Sequence, residues 1–222
     1  MRFDDPQRLY FFLDFVSHNA WLAWHEIGPI AARHGLALEP VPVVFGAMLK
    51  AHDQLGPAEV APKRDWMIRN VLRKARLRGI PLAAPASHPF NSLTALRVAT
   101  AEADPARRAA LCTQLFRAAW AESRPLHETE TVAAVLREAG YDATDSLQAA
   151  QTDEVKARLR GNTEAALAAG IFGVPAVRVR GQDFWGYDDF EHLVRFLDGA
   201  EPVADADLEP WRRVRPSVER RR

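Results

Sequence analysis

The stretch Phe11-Phe12-Leu13-Asp14-Phe15-Val16-Ser17-His18-Asn19-Ala20-Trp21-Leu22 places a hydroxyl at a joint: an apolar run ends at Ser17 and an amphipathic run follows directly. The first amides of a helix have no partner inside it, so a reactive group set before them gains hydrogen-bond donors and a favourable dipole. A serine cannot run disulfide exchange. Its hydroxyl can donate to a sulfur anion that also faces those amides, which lowers a thiol's pKa from about 8.5; a plain N-cap serine is the alternative. Lys50, after the apolar Met48-Leu49, can meet a carboxylate as a point charge or stay solvated on a loop. His88, in the loop Pro81-Leu82-Ala83-Ala84-Pro85-Ala86-Ser87-His88-Pro89, can bind a phenol, exchange a proton near neutral pH, or serve the loop alone. Asn91 can cap the next helix or line the same cleft. Gly173-Val174-Pro175 suits either a cis proline, which leaves the backbone before it free to pair with an extended peptide, or a simple strand start. Asp188 can pair with an ammonium group, cap the last helix, or do both.

The elements that must position these residues are legible from periodicity. Phe11, Phe12, Phe15 and Val16 suit a buried strand, and Ser17 or Asn19 can cap a helix with Trp21, Leu22 and Ile27 inward and Gly35 at its close. Leu36 to Phe45 reads as a second strand, and its two prolines suggest an edge. Helical patterns then dominate: Lys63 to Arg78, a helix from about Asn91, one opening at Pro105, Glu130 to Ala139, and Asp153 to Ala169. Strand character returns at Pro175 to Arg180, a turn at Gly181-Gln182 leads into Asp183 to Trp185, and Asp188 to Leu197 is a last amphipathic helix. Trp21, Trp66 and Trp120 are expected in the core, and Cys112, on an apolar helix face, is expected to be a buried, inert thiol. The order strand, helix, strand, helices, strand, strand, helix is that of a thioredoxin fold with helices inserted in its middle.

Composition narrows the class of protein. At 222 residues, 48% hydrophobic and 26% charged, the chain can build a full core. Lysine plus arginine total 29 and aspartate plus glutamate total 29, which gives no reason to expect a nucleic-acid partner. The acidic N-terminus Met1-Arg2-Phe3-Asp4-Asp5-Pro6 is unlike a signal peptide, and no apolar run nears the roughly 20 residues that span a bilayer, so neither export nor membrane insertion is expected. A single cysteine excludes an internal disulfide and fits a reducing cytoplasm. No metal site is expected.

Three stretches in order carry a family resemblance: Asp14 to Leu22; Leu49-Lys50 through Gln54-Leu55-Gly56-Pro57-Ala58-Glu59, Lys63-Arg64 and Gly79-Ile80-Pro81 to His88-Pro89-Phe90-Asn91; and Gly170-Ile171-Phe172-Gly173-Val174-Pro175 with Trp185-Gly186-Tyr187-Asp188. From about Tyr10 to Leu197 the chain resembles the 2-hydroxychromene-2-carboxylate isomerases and the kappa-class glutathione transferases. The resemblance implies an α/β fold, a thioredoxin-like domain (8–46 and 171–199) interrupted by an inserted all-helical substrate domain (47–170); beyond it, the acidic and then arginine-rich stretch 200–222, poor in apolar residues, is expected to be a flexible tail. It implies glutathione as cofactor, with Ser17 at its sulfur, Val174 presenting backbone to the cysteinyl part before a cis Pro175, and Trp185, Gly186, Tyr187 and Asp188 at the glutamyl end. Lys50 and His88 would line the pocket of a small aromatic acid, with Asn91 beside them, in a cytoplasmic homodimer. The chain departs from the isomerase pattern at His18, where proline is usual, at Asp189, where arginine is usual, and at His88, near a usual tyrosine. A kappa-like transferase acting on another electrophile and a non-catalytic binding protein of the same fold are the competing expectations.

Overall fold

The computed structural model describes residues 2–218; Arg220, Arg221 and Arg222 of the expected tail lie outside the described residues. The chain opens with strand β1 (Arg8–Leu13), helix α1 (His18–Arg33) and strand β2 (Ala37–Pro42). Helices follow: α2 (Phe45–Ala51), α3 (Ala61–Arg78), α4 (Leu93–Ala101), α5 (Pro105–Trp120), α6 (Thr129–Glu138), α7 (Ala143–Gln151) and α8 (Asp153–Ala168). Strands β3 (Ala176–Val179) and β4 (Gln182–Trp185), a 3-10 turn at Tyr187–Asp189, α9 (Phe190–Leu197) and α10 (Asp205–Arg212) complete it. This is an α/β fold of thioredoxin type with a large helical insertion.

The sheet has the order β2-β1-β3-β4, with β1 parallel to β2 and antiparallel to β3. Successive strand residues point to opposite faces. Leu9, Phe11 and Leu13 therefore meet Trp21, Leu22 and Ile27 of α1 and Phe116 of α5, while Tyr10 and Phe12 meet Phe3, Val41, Val43, Met48 and Ile171. Burial on both faces explains why β1 reads as an unbroken apolar run, and each fully buried phenylalanine contributes about 1.5–3 kcal/mol. Pro40 and Pro42 sit on β2, at the sheet edge as expected. Buried Glu39 of β2 clamps the helical block to the sheet: its carboxylate meets Arg108 of α5 at 2.6 Å and Arg8 of β1 at 2.5 Å.

Several expectations are corrected. β2 stops at Pro42, and Phe45 opens α2 instead of ending the strand. Helix α7 was not expected; Asp142 caps it by accepting from the Asp145 amide at 2.9 Å. The stretch expected as a tail contains α10, none of whose residues is buried. Trp66, expected in the core, is 65% exposed on α3, whereas Trp21 and Trp120 are buried. Among the described residues, no helix is long and apolar enough to cross a membrane, and no group of three or more His, Cys, Asp or Glu could hold a metal ion.

Candidate functional site

The site is built on the buried carboxylate of Asp14, directly after β1. It accepts from the Val16 amide at 3.1 Å, the Phe45 amide at 2.9 Å and the Ser92 hydroxyl at 2.6 Å. One side chain thereby ties the strand-to-helix joint to the start of α2 and to the start of α4. Burial raises the Asp14 pKa, while the three hydrogen bonds pull it the other way. In the sequence Asp14 opens the first resemblance stretch but has no assigned role; the available signal was a lone carboxylate inside an apolar run.

Ser17 is the N-cap of α1, in extended geometry (φ −91, ψ 111), and its Oγ accepts from the Ala20 amide at 3.2 Å. The capping role is therefore realised. A hydroxyl also donates, and capping does not use its proton. The two carbonyls before the serine are held from the helical block: Trp120 Nε1 donates to Phe15 O at 2.8 Å, and His88 Nε2 lies 3.1 Å from Val16 O. Trp21 Nε1 donates to Pro81 O at 2.9 Å, which fastens the proline loop to α1. His88 precedes a cis peptide bond to Pro89.

His18 is the first residue of α1 and only 8% exposed. Burial, then the neighbouring His88 and Lys74, lower its pKa from 6.5 to about 4. His88 is also lowered by burial, against the hydrogen bond to Val16. The two imidazoles lie with ring centroids 6.0 Å apart, each edge-on to Trp120 at 5.8 and 5.5 Å.

The third expected stretch reaches the joint through Phe45. Val174–Pro175 is cis, Pro175 O accepts from the Gly186 amide at 2.8 Å, and both residues of the pair are buried. A Cβ on Gly173 would lie 2.8 Å from Trp185 Nε1 and 3.8 Å from the Phe45 ring, the same residue whose amide Asp14 holds. Trp185 stacks obliquely on Phe172 at 5.0 Å, and both rings are about half exposed.

The glutamyl-end candidates divide. Tyr187 is buried and its hydroxyl is taken by Glu26. Asp188 is exposed and paired with Lys74 at 2.6 Å. It does not cap α9, because the N-cap there is Asp189, whose carboxylate instead accepts from the Trp185 amide at 3.0 Å. Tyr187 and Asp188 line a cavity of about 780 Å³ with Glu26, Lys74, Arg78 and Arg195; Ser17, Lys50 and His88 do not line it. Lys74 links the two regions, since it borders this cavity and its charge acts on His18. In the sequence nothing distinguishes Lys74 from the other cations of α3. Lys50 is exposed in the last turn of α2. Asn91 is exposed, one position before Ser92, the N-cap of α4, and its Oδ1 accepts from the Leu93 amide at 3.0 Å. Cys112 is fully buried and its thiol is pushed up to about 12 by desolvation, which makes it inert.

Comparisons with known proteins bear on the family and the fold. Residues 8–198 match the family model of the DSBA-like thioredoxin domain. A 2-hydroxychromene-2-carboxylate isomerase of Sphingobium xenophagum is 25% identical over 189 residues, 84% of this chain and 96% of that protein. Glutathione S-transferase kappa 1 of Rattus norvegicus is 23% identical over 206 residues, 86% of this chain and 91% of that protein. A solved structure of 2-hydroxychromene-2-carboxylate isomerase superposes with a TM-score of 0.80 at 25% identity, covering 86% of this chain and 94% of the other.

Proposed function

The chain belongs to the DSBA-like thioredoxin-domain family, and from that premise we propose that it is a glutathione-dependent cis-trans isomerase of aromatic acids of the 2-hydroxychromene-2-carboxylate type. The observation that carries this reading is Ser17, with its hydroxyl proton uncommitted at the first turn of α1, in a chain whose one cysteine is buried and inert. Sulfur chemistry at this joint must then come from a thiol that the protein binds.

The residues fit glutathione. Ser17 would donate to the sulfur, which together with the helix N-terminus favours the thiolate. The backbone at Val174, before the cis Pro175, would pair with the cysteinyl part, and Trp185, Gly186, Tyr187 and Asp188 would hold the glutamyl end, whose ammonium must share Asp188 with Lys74. Glutathione held there would supply the nucleophilic thiol for a reversible addition to the unsaturated acid. Lys50 would hold the substrate carboxylate, with His88 and Asn91 lining the aromatic pocket. The protein's own contribution is placement of thiol and electrophile together, away from water. We assign glutathione to the half formed by residues 8–46 and 171–199, the substrate to the half formed by 47–170, and the assembly to a cytoplasmic homodimer.

The test is incubation with glutathione and 2-hydroxychromene-2-carboxylate, followed by absorbance. Turnover without net consumption of glutathione is expected, and Ser17→Ala should lower it about tenfold to a hundredfold, the worth of one hydrogen bond to a charged group. Absence of glutathione affinity would overturn the reading. The kappa-transferase relative makes conjugation of a general electrophile the second reading, favoured if conjugation occurs without isomerisation.

A further inference from the structure

His18 and His88 are the two places where the substrate side of the site departs from the isomerase pattern, and they have come together. Each imidazole has one nitrogen turned inward. Val16 O is a carbonyl and only accepts, so His88 Nε2 carries the hydrogen and Nδ1 keeps the lone pair. For His18, Nδ1 and the neighbouring Asn19 Oδ1 are buried polar atoms without a hydrogen-bond partner. The tautomer that sets a donor against that amide oxygen puts hydrogen on Nδ1 and leaves the lone pair on Nε2. Among the described residues, neither His18 Nε2 nor His88 Nδ1 has a hydrogen bond and neither is buried and unpartnered, so these nitrogens keep some accessible surface. The result is a pair of acceptors without an N–H, edge-on to Trp120, with His18 next to Ser17 in the chain and His88 against the Val16 carbonyl just before it.

We propose that His18 and His88 form a proton-accepting pair that receives the hydroxyl group of the aromatic substrate and carries its proton during ring opening. This deepens the isomerase reading and rests on it. The chemistry of the pair selects its ligand: two lone pairs repel a carboxylate, which only accepts, and suit a hydroxyl, which donates. The carboxylate is thus left to Lys50 and the hydroxyl to the histidines. Burial keeps both rings neutral at pH 7, the state in which a lone pair is available.

A 2-hydroxychromene-2-carboxylate is a cyclic hemiketal. One imidazole takes the proton of its hydroxyl, and the oxygen's electron pair closes a carbonyl. The bond from that carbon to the ring oxygen breaks, its pair goes to the ring oxygen as phenolate, and the imidazolium returns the proton there. No proton or electron is gained or lost overall, and the step needs no co-reactant. His88 is the stronger candidate for the base, since a hydrogen bond to Val16 supports its protonated form.

The experiment measures binding without glutathione, by calorimetry, of 2-hydroxycinnamate and its 2-methoxy ether. The wild-type protein is expected to prefer the phenol about tenfold, and His88→Gln, which keeps a donor for Val16, should bring the two affinities within about twofold. His18→Phe, which keeps ring bulk, supplies the second variant. With glutathione and the chromene substrate, His88→Gln should lower kcat about a hundredfold and leave glutathione affinity unchanged. Equal wild-type affinity for phenol and ether, or equal loss of both in the variants, would overturn the proposal. Failure of the isomerase reading itself is a separate result, visible as absence of glutathione binding in the wild-type protein.

Discussion

His18 enters the fold as a neutral imidazole surrounded by His88, Lys74, Asn19 and Trp120, its pKa lowered from 6.5 to about 4. The unfolded chain accepts a proton near 6.5 that the folded chain refuses until about 4, so this contribution is complete above 6.5 and is lost as pH falls through that window. The loss is on the order of 3 kcal/mol. Asp14 works in the opposite sense, because burial raises its pKa and the fold takes up its proton first as pH falls. Comparing wild type with His18→Phe isolates the histidine: the variant's urea midpoint should fall less between pH 6.5 and pH 4, and parallel curves would assign the dependence to another group. At this scale Ser17 was legible, since a serine between two patterns of different period marks a cap. Asp14 was not, because its partners at Phe45 and Ser92 lie 31 and 78 positions away.

Among the elements, the approach to the cis proline ahead of β3 depends on one small residue, Gly173. A methyl group at Gly173 would press on the Trp185 indole, 2.8 Å away. That ring is 54% exposed and free to swing outward. Gly173→Ala should therefore change stability by no more than about 0.5 kcal/mol while weakening glutathione binding about tenfold; calorimetric affinity equal to wild type would remove Trp185 from the cofactor site. Strands and long amphipathic helices were legible because burial imposes their period. The end of β2 was not: Val44 and Phe45 continue an apolar run, and two distant acceptors, the Thr163 hydroxyl for the Val44 amide and the Asp14 carboxylate for the Phe45 amide, turn the chain into α2 there. Helix α7 carried a readable cap at Asp142 but buries only Ala143 and Ala150, too little for an apolar stripe.

Across the whole molecule, Glu39 joins the sheet to the inserted helices. Arg108, which meets its carboxylate, also donates to the carbonyls of Pro40, Glu102 and Ala103 at 2.9–3.1 Å. Glu39→Ala would leave this guanidinium without its counter-charge inside the interface, and the expected cost is about 3 kcal/mol. Urea unfolding checks it; a loss below about 1 kcal/mol would mean that solvent replaces the pair. Local chemistry was enough for the order of the strands and the longest helices, the burial of β1, the capping serine and the inert cysteine, because period, capping and residue type are properties of near neighbours. Packing alone decided that Asp14 gathers three elements, that Lys74 takes Asp188 across 114 positions, that Trp66 faces solvent, and that His18 and His88 meet. Those contacts depend on where folded elements come to rest against one another, and nothing in the residues flanking each partner encodes that distance.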